Sequence, residues 1–237
     1  MAARRTMAAF GAGAAVYLLL IRPWQLRWGA TRKEARAPML GDDIVPSAHL
    51  QATRAVTIDA PPKEVWPWLV QMGGYTRAGW YSYDRIDNAG RPSAGRIVPE
   101  LQHLQVGDVM PTAPDGTGFT VERIDPPSTL VLSIHAYEGT VSCCITLRES
   151  GDGSRLIVRL RVRARPTLRA LAFLALMEVG DFVMMRKQLL TIRARAEGRR
   201  HDGQPAHRHH GVRRAGGAAA GRGADAAAGL RAGPGSE

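Results

Sequence analysis

The stretch TRAVTIDAPPKEVWPWLVQMGGYTRAGWYSYD, residues 53–84, indicates the fold class. Residues 53–59 are rich in β-branched side chains and partly alternate, which predicts a strand. Pro61 follows, and a helix is expected to begin there because proline is favoured in the first helical turn. The positions that share one face of this helix are Val65, Leu69 and Met72. A strand, a helix and an aromatic segment thus follow one another, as expected at the start of an α+β domain.

The second half of the chain predicts an antiparallel meander. Strands are expected over residues 106–110, 117–125, 129–136, 140–149 and 154–165. The connections PDG, DPPS, YEG and SGDG are turn sequences, and connections this short require antiparallel neighbours. The apolar segment 168–177 follows, and Gly180 is expected to interrupt it so that Asp181 caps a new helix over residues 181–196.

Alternation in the last two strands predicts which side chains face inward. The inward positions are Val141, Cys143, Ile145, Leu147, Val158, Leu160, Val162 and Ala164. The opposite face of the last strand carries Arg159, Arg161, Arg163 and Arg165, which predicts a solvated sheet face or, less often, an anion contact. His135 is in phase with Val131 and Ser133, and the pattern does not decide whether that face borders a cavity.

Four segments resemble the START-like superfamily, which includes polyketide cyclases/dehydrases and lipid-transfer proteins, and more narrowly a bacterial subgroup of it. They are VWPWLVQMG (65–73), GWYSYD (79–84), IVPELQHLQVGD (97–108) and GDFVMMRKQLL (180–190). The resemblance covers roughly residues 40–197. It implies a helix-grip fold, in which a curved antiparallel sheet wraps around a long C-terminal helix. Because enzymes, carriers and sensors share this architecture, the resemblance does not fix the function.

The basic charge of the protein lies in its ends. The net charge is +11, but residues 1–36 hold seven Lys/Arg against one acid and residues 198–237 hold seven against three. Residues 37–197 are therefore nearly neutral, which argues against a nucleic-acid-binding face. The Gly/Ala/Arg/His-rich residues 198–237 are expected to be a disordered tail.

An uncharged run over residues 7–21 predicts an apolar N-terminal helix within residues 1–28. Flanking arginines, Trp24 and Trp28 favour a membrane span, although about 20 residues are usually needed. A surface helix, a cleaved signal peptide and a helix packed on the domain remain alternatives. The excess of Lys/Arg after the run predicts a membrane-associated location with the domain on the cytoplasmic side. Residues 29–52 are expected to be a linker and residues 53–197 the ligand-binding domain.

Seven residues are candidates for ligand contact: Trp80, Tyr81, Tyr83, Asp84, His135, Phe182 and Met185. Aromatic side chains offer a large apolar area with polar tips, which suits the wall of a cavity. The first functional hypothesis is a membrane-associated carrier for a hydrophobic small molecule or lipid. The second is a cyclase- or dehydratase-type enzyme using Asp84, His135 or Tyr81, and the third is a module whose filled core binds nothing. No cofactor fingerprint and no metal-ligand spacing is present.

Overall fold

A computed structural model of the chain describes residues 11–13 and 15–198, with the side chain of Leu171 left out. Its strands are β1 (Leu50–Ile58), β2 (Val109–Pro111), β3 (Gly118–Asp125), β4 (Thr129–Ala136), β5 (Gly139–Ser150) and β6 (Gly153–Ala164). Its α-helices are α1 (Arg22–Gln25), α2 (Arg32–Arg36), α3 (Pro62–Val70), α4 (Asp84–Asp87) and α5 (Leu168–Ala196). A π-helical segment (Tyr17–Ile21) precedes α1, and a 3-10 turn (Pro99–Leu101) lies before β2. The tail predicted to be disordered lies outside the described residues from residue 199 onward.

All six strands form one antiparallel sheet in the order β1-β6-β5-β4-β3-β2. Strands β2 to β6 are sequential neighbours, as the short turn sequences predicted. The largest difference is in β2, which is three residues long and shares only Val109 and Met110 with the strand predicted over 106–110. A turn around Gly107 precedes it. Together with the long helix packed on it, this sheet fits the predicted α+β helix-grip fold.

The inner sheet face is the one that alternation predicted. The eight predicted inward side chains of β5 and β6 are all buried. Register pairs Cys143 with Leu160 and Ile145 with Val158, so that these residues form neighbouring rows on one face. Helix α5 packs over this face with Met185, Leu189 and Ile192 buried. The core thus lies between the sheet and α5.

Helix α5 is continuous for 29 residues, so the predicted interruption at Gly180 and the predicted cap at Asp181 are wrong. A glycine inside a helix costs only about 1 kcal/mol relative to alanine. The buried stripe after Gly180 and the cap at Thr167, whose hydroxyl accepts a hydrogen bond from the Ala170 amide at 3.1 Å, both stabilise the helix. Asp181 therefore lies in mid-helix.

Helix α3 begins at Pro62 and contains Pro67. The predicted face is buried, with Val65, Leu69 and Met72 in the core. Carbonyl groups near the end of α3 are satisfied by Arg77, which donates to the Val70 oxygen at 2.6 Å and to the Met72 oxygen at 2.7 Å. Arg77 thereby joins the end of α3 to the loop that leads to the aromatic segment.

The predicted membrane span is wrong, and so is the predicted location at the cytoplasmic side of a membrane. No helix among the described residues is long and apolar enough to cross a bilayer. Residues 7–10 and 14 of the proposed span lie outside the described part. The described residues 17–25 pack on the domain instead, where Tyr17 and Arg22 both donate to Glu178 of α5, at 3.0 Å and 2.7 Å.

The chain after α1 extends the sheet at its β1 edge. The Leu26 and Trp28 oxygens accept hydrogen bonds from Thr53 and Ala55 at 2.8 Å and 3.1 Å. Gly29 then turns away with φ 72°, and a Cβ at this position would overlap the Ala55 oxygen. The described residues 17–28 therefore contact the domain, which does not support the predicted separate N-terminal apolar helix.

The arginine face of β6 is not simply solvated, because the supposed linker covers part of it. Helix α2, with a capping box between Thr31 and Glu34, lies over the outer face of β1 and β6. Arg159 is only 2% exposed and donates to Thr53, Asp42 and three backbone oxygens, at 2.8 to 3.1 Å. Arg163 is exposed as predicted. Residues 31–46 are therefore part of the domain.

Candidate functional site

A cavity of about 920 Å³ lies between α5, the inner sheet face and residues 80–87. The apolar side chains of its wall are Met72, Trp80, Ile86, Phe119, Leu132, Ile145, Val158, Leu160, Leu176, Met177, Val183, Met184 and Met185. The other lining residues are Ser82, Tyr83, Asp87, Thr112, Cys143, Gly180, Asp181 and Gln188. The wall is thus largely apolar with a few polar groups, as in most small-molecule sites.

The mouth of the cavity lies between α4 and the first half of α5. Of the lining residues, Ile86 is 68% exposed and Leu176 is 71% exposed, and Tyr83 and Val183 are also exposed. The sheet-side lining residues Leu132, Ile145, Val158 and Leu160 are buried. A ligand would therefore enter between apolar side chains and meet the sheet at the closed end.

The aromatic segment is held in place by contacts on both sides. The Trp80 indole donates to the Pro111 oxygen at 2.8 Å and packs edge-on against Phe119. The Tyr81 backbone has φ 60°, a conformation that costs energy for a non-glycine residue. The Gln71 amide donates to the Tyr81 hydroxyl at 2.7 Å and so anchors this residue. Trp80 is thereby fixed as a rigid part of the wall.

Three of the seven predicted ligand contacts line the cavity, namely Trp80, Tyr83 and Met185. Met185 lies on the buried face of α5. Tyr83 lies at the mouth, where Lys187 stacks on its ring with 4.2 Å between the ammonium nitrogen and the ring centroid. Whether these residues contact a ligand stays a prediction.

The other four predicted residues are not among those that line the cavity. Tyr81 is buried and packs edge-on against Trp68. Asp84 accepts a hydrogen bond from the Ser93 hydroxyl. His135 is exposed, and neighbouring residues on β4 that face the core, such as Leu132, lie on the opposite side of the sheet. Phe182 packs against Trp24, with 5.3 Å between ring centroids, because it lies on the flank of α5 that meets the N-terminal segment.

A buried ion pair that sequence reasoning missed stands beside the cavity. Arg54 is fully buried and donates to the Asp181 carboxylate, to the Gln25 oxygen at 3.0 Å and to the Met185 sulfur at 3.3 Å. Burial raises the pKa of Asp181, and Arg54 opposes that rise. The pair joins β1, α1 and α5 at one end of the cavity.

Asp87 is a second missed residue and the least satisfied polar group of the wall. The residue is 8% exposed, and neither carboxylate oxygen has a hydrogen-bond partner among the described residues. Burial, with a further contribution from Asp84, raises the pKa of Asp87 to about 6, against smaller opposing effects of its own backbone amide and Lys187. Among the described lining residues, Asp87 is therefore the carboxyl that has no partner. It could exchange a proton or a hydrogen bond with a ligand.

Replacement of Asp87 with asparagine is expected to stabilise the protein at pH 8. A carboxyl whose folded-state pKa is raised binds protons more tightly in the folded than in the unfolded state, so it destabilises the fold above about pH 6 and not below pH 3.8. The gain should be about 1 to 3 kcal/mol at pH 8 and should vanish near pH 3.5. Urea unfolding at both pH values measures it.

The matched control is Asp152→Asn, in the exposed turn between β5 and β6. This variant should unfold like the wild type at both pH values. A gain at Asp87→Asn that is the same at pH 3.5 and pH 8 would contradict the assignment of a buried, unpaired charge.

Cys143 lines the cavity, but it is not poised as a nucleophile. Burial raises the pKa of its thiol, so the thiol stays protonated at neutral pH. Both cysteines are free and buried, and they lie on opposite faces of β5.

No protein-family model and no curated protein matches the chain. Among solved structures, it is similar to a protein from Arthrobacter aurescens at 18% identity over 68% of this chain and 94% of that chain, with a TM-score of 0.41. It is also similar to CalU16 from Micromonospora echinospora at 19% identity over 62% of this chain and 85% of that chain, with a TM-score of 0.31. A third similar structure is Ara h 8.0201, at 11% identity over 62% and 97% of the two chains, with a TM-score of 0.32. The helix-grip description rests on the strand order and on the helix packed over the inner sheet face.

Proposed function

We propose that this protein binds a hydrophobic small molecule or lipid in the cavity between α5 and the sheet, as a carrier or binding protein. The observation that supports this proposal is the volume of about 920 Å³ behind a wall of mainly apolar side chains. Ligand sites of drug-sized molecules usually measure about 300 to 1,000 Å³. A module that binds nothing would fill such a space with side chains, so the cavity argues against that alternative.

The methionines support a binding role. Met72, Met177, Met184 and Met185 all line the cavity. Methionine is unbranched and polarizable, so a wall rich in it adapts to ligands of different shape. Helix α5 supplies three of these four methionines and thereby part of an adaptable surface.

The test is isothermal titration of the full chain with decanol, an uncharged apolar probe. Substitution Met184→Trp should fill part of the cavity and weaken decanol binding at least about tenfold, a loss of about 1.4 kcal/mol. The matched control Leu168→Trp adds the same ring at an exposed position of α5 and should bind like the wild type. Absence of decanol binding to the wild type, or equal binding by Met184→Trp, would contradict the proposal.

The second candidate function is a cyclase- or dehydratase-type enzyme acting on a polyketide-like substrate in the same cavity. It is supported by the buried, unpartnered Asp87, because a carboxyl whose pKa is near 6 can act as a general acid or base. Mass spectrometry of a medium-chain β-hydroxyketone incubated with the protein separates the two functions. A dehydratase eliminates water from the β-hydroxyketone and releases the α,β-unsaturated ketone, which is lighter by one water, whereas a carrier returns the ketone unchanged.

A further inference from the structure

Asp87 stands out among the charged groups around the cavity because nothing in the described structure neutralises it. The lining residues include two carboxyl groups, Asp87 and Asp181, and no lysine, arginine or histidine. Asp181 is paired with Arg54, which is fully buried and is not itself a lining residue. The described wall therefore presents one unpaired carboxyl and no unpaired cation.

The groups around Asp87 do not supply the missing partner. Asp84, on the same helix, is acidic and engages Ser93. Lys187, on α5, exerts only a minor effect on Asp87 and stacks on the Tyr83 ring. On the loop side, Gly74 lies against the Asp87 backbone oxygen and brings no side chain. A buried carboxylate without a donor is costly, so a ligand that brings a donor relieves that cost on binding.

We propose that the cavity selects an apolar molecule that carries one protonated amine, with the amine bound at Asp87. This inference rests on the proposed binding function and specifies its ligand class. A charge-assisted hydrogen bond between an ammonium and a buried carboxylate is stronger than the bond that a neutral alcohol can donate. A carboxylic acid of equal length meets the same carboxylate as a like charge and is disfavoured.

The position of Asp87 also sets the orientation of the ligand. Its neighbours Tyr83 and Ile86 are exposed at the mouth, whereas Leu132, Ile145 and Leu160 are buried at the sheet. The amine is therefore placed near the mouth, and the apolar body extends toward the sheet. This arrangement keeps the charged end close to water and buries the hydrocarbon.

Isothermal titration of the full chain at pH 7.5 with decylamine, decanol and decanoic acid tests the proposal, because the three probes differ only in their polar group. Decylamine should bind at least about tenfold more tightly than decanol, and decanoic acid should bind most weakly. Substitution Asp87→Asn should reduce decylamine affinity at least about tenfold and change decanol affinity less than about threefold. At pH 5, protonation of Asp87 should remove most of the preference for the amine.

Asp84→Asn is the matched control. Asp84 carries the same charge and lies one helical turn from Asp87, but it does not line the cavity. The variant should leave the preference for decylamine within about threefold of the wild type. Equal affinities for the three probes, or a preference that survives in Asp87→Asn, would overturn the selection of amines while leaving the binding function intact. Failure of all three probes to bind would instead overturn the proposed function itself.

Discussion

Replacing Arg54 with methionine is expected to lower the free energy of unfolding by about 3 to 5 kcal/mol. The substitution keeps an unbranched apolar stem but leaves the Asp181 carboxyl, only 13% exposed, without its cation. It also removes the donor of the Gln25 oxygen, which connects β1 to α1. Urea unfolding at pH 7 measures the loss.

The double variant Arg54→Met/Asp181→Leu distinguishes the lost charge partner from lost packing. Replacing both members of a buried pair with apolar residues is often neutral or stabilising, so the double variant should recover most of the stability. If the double variant is as unstable as Arg54→Met alone, the ion pair is not the cause, and the packing of Arg54 against Phe182 is the next explanation.

Replacing Arg159 with methionine is expected to cost a similar amount, about 3 to 5 kcal/mol. The guanidinium donates to the Ala37 oxygen and the Asp42 carboxylate, both at 2.8 Å, and to the Glu34 and Ala35 oxygens at 2.9 Å and 3.1 Å. Its loss leaves these acceptors unsatisfied, and residues 31–46 should separate from the outer sheet face. Faster cleavage of this segment by trypsin reports the separation.

Arg163→Met is the matched control, four residues along the same strand and on the same face. Arg163 is exposed, and its substitution should change the free energy of unfolding by less than about 0.5 kcal/mol. If Arg159→Met and Arg163→Met lower the free energy of unfolding equally, the contacts of the buried Arg159 do not stabilise the fold.

The sheet could be predicted because the signals for its strands and turns lie in short stretches of sequence. Alternation identifies the inner face of β5 and β6, and the turn sequences fix the antiparallel order of β2 to β6. Alternation does not say what covers a face. The environment of Arg159 depends on contacts with residues 31–46, which are more than 110 positions away in the chain. From the sequence, these residues were predicted to be a linker.

The polar part of the site was harder to predict for the same reason. Arg54 is in phase with the inward residues Val56 and Ile58, so the strand pattern contained a signal for a buried charge. Its partner Asp181 was predicted to cap a helix after Gly180, because a glycine and an aspartate together usually mark a helix boundary. Asp87 lies in a short polar segment, yet it is buried in the structure. No local pattern distinguishes such an aspartate from a solvated one.

The methyl groups of the methionines provide the most direct test of ligand binding in the cavity. In a spectrum of the full chain labelled with carbon-13 at the methionine methyls, addition of decanol should shift the signals of Met72, Met177, Met184 and Met185. The signal of Met110, which is buried but is not a lining residue, should stay in place. If the four lining methionines do not respond at saturating decanol, or if Met110 shifts as much as they do, the cavity between α5 and the sheet is not the binding site.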